Sequence, residues 1–320
     1  MYRNVLEFHG LTLDLDHDDF YPTEAITELI EDVKFYLKSR PLRFAVLSGS
    51  VGVGKTTIVN LLVEEFKSAN DFTIAFMAHN DAAKIKETMI TNKLLRMIGE
   101  APKRTVDQES RYEMLQEKLK DRPRMLLVID DAHKLKSDTL IELKKTNEKG
   151  VSILLAAHTQ LAKKLQMAMY EEIGLRTETF EVPGIAGEGR GYLEFLLEKS
   201  GGRIEQFSEE SIDELSRLCH TPRQMRKMAW SALRQAVINN EKQVSVNTVR
   251  EVLPKDFSNT LVQLRRLGYT TKEIAEELME NPKRVTQCLH GRLAEDDELY
   301  RTIGAFLYGL KLEAVANESK

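Results

Sequence analysis

Short unbroken apolar runs alternate with helix-spaced apolar positions through the first half of the chain. Phe44–Leu47, Phe72–Ala78, Met125–Ile129 and Val151–Ala157 carry almost no polar residue, which is how a strand buried on both faces reads. Between them the spacing is helical. Ile26, Leu29, Ile30, Val33 and Leu37 follow Thr23, a plausible N-cap. Ile58–Phe66 continues the pattern, as do about 81–98, closed by Gly99, then 107–120, ending before Arg122-Pro123, and 160–172. Gly174-Leu-Arg-Thr-Glu-Thr-Phe-Glu-Val182 places Arg176 just before one more short strand. Strands alternating with helices predict a parallel sheet covered by helices. From Gly184 the strand signal stops. Helices are predicted at about 187–199, 208–219, 222–239 and 246–252, and Pro222 suits the first turn of the third. Residues 254–259 read as a linker. Ile274, Ala275 and Leu278, then Val285 and Leu289, fit two short helices joined at Asn281-Pro282, with a last helix and tail over 299–320. Residues 1–22 read as an irregular acidic segment. The divisions expected are 1–40 (leading segment and helix), 41–184 (core), 185–255 (helical lid) and 256–320 (C-terminal helical domain).

Composition narrows the class. The 320 residues are 42% hydrophobic and 30% charged, which suits a globular chain of two or three domains. No run approaches the ~20 apolar residues of a membrane span, and the N-terminus lacks a secretory core. Cys219 and Cys288 are isolated, so no disulfide framework or zinc pattern is expected. A cytoplasmic protein is the expectation. With a net charge of −4, any nucleic-acid contact must come from a local basic patch.

The strongest chemistry lies after the first strand. Gly49-Ser-Val-Gly-Val-Gly-Lys-Thr-Thr57 contains G-x-x-x-x-G-K-[ST] as Gly49, Gly54, Lys55 and Thr56. Strand, glycine loop and helix in that order are the context this motif requires. Glycines let Gly49, Ser50, Val51, Gly52, Val53 and Gly54 curl their N–H groups around phosphate oxygens, and the helix start adds its positive end. Lys55 can reach the β- and γ-phosphates, the Thr56 hydroxyl can ligate Mg²⁺, and Thr57 completes the loop. ATP and Mg²⁺ are the expected cofactors.

Met125-Leu-Leu-Val-Ile-Asp-Asp131 is an apolar strand ending in two acids, the Walker B pattern. Asp130 would hold the Mg²⁺ shell and Asp131 would orient or deprotonate the attacking water. After Val151–Ala157, His158 or Thr159 could touch the γ-phosphate or the water, or simply cap the next helix. Arg223 stands at a helix start, where it could reach a phosphate or remain a surface charge. In the C-terminal pair, the second helix carries Lys283, Arg284, Thr286, Gln287, His290 and Arg292 and no acid, the face that phosphate and base contacts need. The first carries Glu273, Glu276, Glu277 and Glu280, which would repel DNA. Lys103 and Arg104 are further candidates for DNA lining a pore.

The order of P-loop, Walker B, polar strand end, arginine before a strand and helical segment with Pro-Arg resembles the AAA+ ATPases. Within them it is most similar to the ExeA / TniB / TnsC group of transposition-regulator type. The landmarks are Phe20-Tyr-Pro22, the P-loop, Val128-Ile-Asp-Asp-Ala-His133, Leu154-Leu-Ala-Ala-His-Thr-Gln-Leu161 and Thr221-Pro-Arg223. The resemblance covers about residues 5–255 and implies a P-loop AAA+ core of α/β class followed by an all-α lid; the C-terminal pair beyond it reads, from its own spacing, as a small helix-turn-helix-like domain. The resemblance implies that Arg176 is an arginine finger acting in trans, so that the active form is a ring or helical filament. It implies that Arg223 is the sensor 2 arginine and that His158 or Thr159 is sensor 1. One departure stands out: the second Walker B acid is usually Glu, and Asp131 is one methylene shorter, which suits slow hydrolysis.

The function expected is therefore an ATP-dependent, DNA-binding regulator of transposition, assembling on double-stranded DNA with a transposase as partner. Alternatives are a replication initiator or helicase loader, an ExeA-type secretion-associated ATPase, and a scaffold that binds ATP and barely turns it over.

Overall fold

The protein is described from a computed structural model, which covers residues 2–17, 19–77, 85–101, 105–120, 124–165 and 177–252. Toward the C-terminus it covers 260–261, 264, 269–293, 297–300, 302–304 and 306–307. Two compact units emerge. One comprises 22–49 and 54–183; the other comprises 1–21, 50–53 and 184–320.

The first unit is built on β1 (Phe44–Ser48), β2 (Thr73–Met77), β3 (Met125–Ile129), β4 (Val151–Ala157) and β5 (Thr177–Glu181). They form a five-stranded sheet in the order β2-β3-β4-β1-β5, with every neighbouring pair parallel. Its helices are α2 (Glu24–Ser39), α3 (Lys55–Ser68), α4 (Glu87–Met97), α5 (Gln108–Leu119), α6 (Ser137–Glu148) and α7 (Thr159–Leu165). The expected α/β core is present. β1, β3 and β4 are buried at every position, which is why their sequences show no alternation. Phe44, Val46, Leu127, Ile129, Ile153 and Leu155 pack with Leu94, Tyr112, Leu143 and Leu161 of the helices. Thr23 caps α2, accepting a hydrogen bond from the Ile26 N–H at 3.2 Å.

The order of strands fixes where a ligand can sit. β1 leads to β2 at one edge of the sheet, whereas β4, beside β1, leads to β5 at the other. Connections that leave in opposite directions open a crevice at the carboxyl ends of the two strands. Gly49 and His158 directly follow the ends of these two strands, and Asp130 follows the end of the neighbouring β3.

In the second unit, α8 (Gly189–Lys199), α9 (Glu209–Leu218), α10 (Pro222–Asn239) and α11 (Val246–Glu251) follow the predicted spans closely. Thr221 caps α10 and Pro222 occupies its first turn. The N-terminal segment departs from expectation. Tyr2–His9 forms a helix, α1, where an irregular segment is expected. Val5 and His9 lie four residues apart and are buried, Val5 in a cluster with Leu11, Leu15, Tyr192, Leu233 and Ala236. Helices this short are marginal alone, so tertiary packing supplies what the pattern does not show.

The C-terminal pair α12 (Thr271–Glu277) and α13 (Pro282–Leu289) encloses a small core of Leu261, Leu264, Ile274, Val285, Leu289 and Ile303. Thr270 and Glu273 form a reciprocal cap on α12. The expected linker, 254–259, lies outside the described residues. Among the described residues no helix is long and apolar enough to cross a membrane.

Candidate nucleotide site

Each group at the crevice is placed by the end of a parallel strand. β1 delivers the glycine loop, and the Gly49 N–H donates to the Ala157 carbonyl at 3.3 Å, joining the loop to the end of β4. Gly54 is the N-cap of α3 with φ 99°, a conformation natural only to glycine. Gly52 is required twice over. Its φ is +87°, and a Cβ there would lie 2.7 Å from Arg223 Cβ. The Arg223 N–H donates to the Gly52 carbonyl at 3.3 Å, within the helical unit, while the Arg223 side chain is exposed.

Lys55 opens α3 and its Nζ donates to the Gly49 carbonyl at 2.9 Å. Burial pushes its ammonium below the ordinary lysine value, and the carboxylates of Asp130 and Asp131 pull it partly back. A desolvated cation of this kind gains from a nearby polyanion.

The paired oxygens expected for Mg²⁺ are brought together. Thr56 Oγ1 donates to Asp130 Oδ2 at 2.8 Å, across 74 residues of chain, and Asp130 is buried with 3% exposure. One hydroxyl and one buried carboxylate match the way Mg²⁺ is held by one or two protein oxygens, with phosphates and water completing the shell. No group of three or more His, Cys, Asp or Glu able to hold a metal occurs among the described residues. Thr56 and Asp130 fit Mg²⁺ bound together with a nucleotide. When bound, the ion would neutralise charge on the phosphate oxygens.

Asp131 follows with a left-handed backbone, φ 53° and ψ 35°, at the head of the 3₁₀ turn Ala132–Lys134. Its N–H donates to Asp130 Oδ1 at 2.8 Å, and its Oδ2 pairs with Lys134 Nζ at 2.6 Å. His158 directly follows β4, with its Nδ1 3.2 Å from Thr159 Oγ1. The sequence assigns no role to His133, yet its ring meets that of His158 edge-on, with centroids 6.0 Å apart. Burial, then the Lys55 charge, lowers the His158 pKa; burial lowers that of His133, opposed by Asp131. Both rings therefore favour the neutral form, in which each can donate through one nitrogen and accept through the other. Only the position of His133 in the run Asp130-Asp-Ala-His hinted at it.

The remaining candidates divide. Arg176, Lys103 and Arg104 lie outside the described residues. On α13 the Arg284 guanidinium is bound to Asp297 (3.1 Å) and Glu280 (3.3 Å), and Thr286 Oγ1 donates to the Pro282 carbonyl at 2.7 Å. Lys283, Gln287, His290 and Arg292 are exposed.

Comparison with known proteins bears on the domain and the fold. A family model described as "AAA domain" matches residues 40–165. No curated protein sequence matches the chain. Similar solved structures include Cdc6p from Pyrobaculum aerophilum, 16% identical, covering 95% of this chain and 91% of that one, with a TM-score of 0.53. The Aeropyrum pernix ORC2 protein, as ADPNP-ADP complexes, is 15% identical over 94% and 91% of the two chains, with a TM-score of 0.54. The A. pernix ORC1 protein, in complex with DNA, is 18% identical over 93% and 86%, with a TM-score of 0.51. These likenesses establish fold alone: the chain has a P-loop AAA+ fold, and its residues 40–165 match the AAA domain model.

Proposed function

We propose that the protein binds Mg²⁺-ATP at the carboxyl ends of β1, β3 and β4 and hydrolyses it slowly as a switch. The observation that carries this reading is the Thr56–Asp130 hydrogen bond beside the desolvated Lys55. It supports the reading because a hydroxyl, a buried carboxylate and a desolvated ammonium lie together where the glycine loop ends. In this reading Asp131 orients the attacking water and His158 or Thr159 contacts the γ-phosphate. Arg223 contacts the phosphates from the lid, and Arg176 completes the site of a neighbouring subunit, so the working form is a homo-oligomer.

The switch is proposed to act on double-stranded DNA in the cytoplasm, with Lys283, Gln287, His290 and Arg292 of the C-terminal domain as contacts. The resemblance to the ExeA / TniB / TnsC group favours a regulator of transposition with a transposase partner. A second reading, replication initiator or helicase loader, draws support from the likeness to Cdc6 and ORC proteins along more than nine-tenths of this chain, two of them solved with DNA. The identity of the protein partner, transposase or helicase, separates the two.

Titration with a fluorescent ATP analogue tests the site. Lys55→Ala is expected to lose binding by at least about a hundredfold, the worth of a desolvated charge-assisted contact. Tight binding by that variant would sink the assignment.

A further inference from the structure

We propose that Lys134 is a positioning residue for hydrolysis, one that restrains Asp131 and keeps turnover slow. The inference rests on the nucleotide-site reading and extends it to the control of rate. Three observations meet at this turn. Asp131 has a left-handed backbone, φ 53°, a conformation that Asp adopts more readily than most L-residues and that turns the chain sharply here. The Lys134 N–H donates to the Asp131 carbonyl at 3.0 Å, closing a tight 3₁₀ turn that brings the two side chains to the same side. The Lys134 ammonium then lies 2.6 Å from Asp131 Oδ2.

The proposed chemistry shows why this contact matters. In hydrolysis a water oxygen forms a bond to the γ-phosphorus while the bond to the β–γ bridging oxygen breaks. The electron pair leaves with ADP, and the water proton passes through the general base to the released phosphate. A carboxylate serving as that base needs a free oxygen lone pair aimed at the water. The ammonium takes one of the carboxylate's acceptor sites at Oδ2 and draws the group toward its own turn, so what it constrains is the aim of the remaining lone pairs. Asp131 is also a short acid, so it has little reach to spare. Both partners are partly exposed, at 44% for Lys134 and 28% for Asp131, so the pair is a weak tether that can open.

The test uses the full chain and measures Mg²⁺-ATP binding and steady-state hydrolysis separately. Lys134→Met is expected to raise kcat by about threefold to fivefold with nucleotide affinity unchanged, the ceiling set by an exposed ion pair. Lys134→Arg restores the pair and the slow rate. The gain must vanish in the double variant Lys134→Met/Asp131→Asn, because it acts through Asp131. An unchanged or lowered kcat in Lys134→Met, in a variant whose thermal midpoint matches the parent, overturns the proposal. So does a gain that survives in the double variant. Failure of the parent chain to bind Mg²⁺-ATP at all would instead overturn the nucleotide-site reading, and the binding arm makes that failure distinct.

Discussion

Asp131 shows how much of this site is decided by single dihedrals. A left-handed backbone favours Asp and Asn several-fold over other non-glycine residues, because a short polar side chain can satisfy nearby backbone groups. The φ of 53° at Asp131 thus gives a local reason for Asp at this position, apart from any catalytic preference. Asp131→Glu sets reach against strain. The extra methylene brings the carboxylate nearer the water, and misplacement by about 1 Å is worth up to about a hundredfold in rate. The strain costs about 1 kcal/mol of stability. We expect kcat to rise between a few-fold and about a hundredfold while the thermal midpoint falls slightly. A fall in kcat with intact binding would show that Asp131 already holds the productive position. Asp131→Asn should keep ATP binding and lose at least about a hundredfold in hydrolysis. At this scale the sequence was informative where residues act next to their own motif. Gly49, Gly54, Lys55 and Thr56 could be read directly, and Asp130 could be paired with Thr56 from the two motifs together. The Lys134 contact could not, because it depends on a left-handed turn that no spacing rule predicts. His133 was visible only as a neighbour of the acids.

Elements were legible in proportion to their length and burial. The strands β1, β3 and β4 announced themselves because both faces are covered, and α10 because its eighteen residues carry a cap, a proline and a regular inner face. Helix α1 stayed hidden because it has eight residues and two buried anchors. One anchor, His9, makes its packing pH-sensitive. His9 is 9% exposed and its Nε2 lies 3.1 Å from the Leu233 carbonyl. Burial lowers its pKa, opposed by that hydrogen bond. A histidine with a depressed folded-state pKa binds more protons unfolded than folded. Its contribution is therefore fully present above the ordinary value of about 6.5 and is lost as pH falls through the folded-state value. The thermal midpoint of the wild type should drop more between pH 7.5 and pH 5.5 than that of His9→Leu. Parallel curves would show that α1 does not anchor through this ring. The basic face of α13 gives a similar lesson. Its composition pointed to DNA, yet Arg284 is engaged by Asp297, thirteen residues on, a pairing that sequence distance conceals.

At the scale of the whole molecule, the decisive question is whether nucleotide state controls DNA binding. The net charge of −4 gives no general attraction for DNA, so the proposed binding would have to be local or assembled from many subunits. These two sources respond differently. Among the described residues of the C-terminal domain, Lys283 and Arg292 are exposed basic contacts with His290 beside them, and binding through one such domain should ignore nucleotide. An oligomer repeats those contacts along one duplex, so avidity multiplies weak binding without any new chemistry. We expect binding to random-sequence duplex at fixed salt to require a non-hydrolysable ATP analogue, to appear as large assemblies, and to be lost with ADP. Affinity should fall steeply with salt. Lys283→Ala/Arg292→Ala should flatten that slope by about two units per subunit engaged if both residues meet phosphates. Arg176→Ala should bind ATP nearly as the parent does but lose hydrolysis in the assembled form; unchanged turnover would remove it as the finger. Tight binding in all nucleotide states would mean that the C-terminal helices hold DNA alone and the ATPase serves another step. Absence of binding in every state would shift the switch from DNA to a protein partner, because the site at the strand ends would still gate something, though not a duplex.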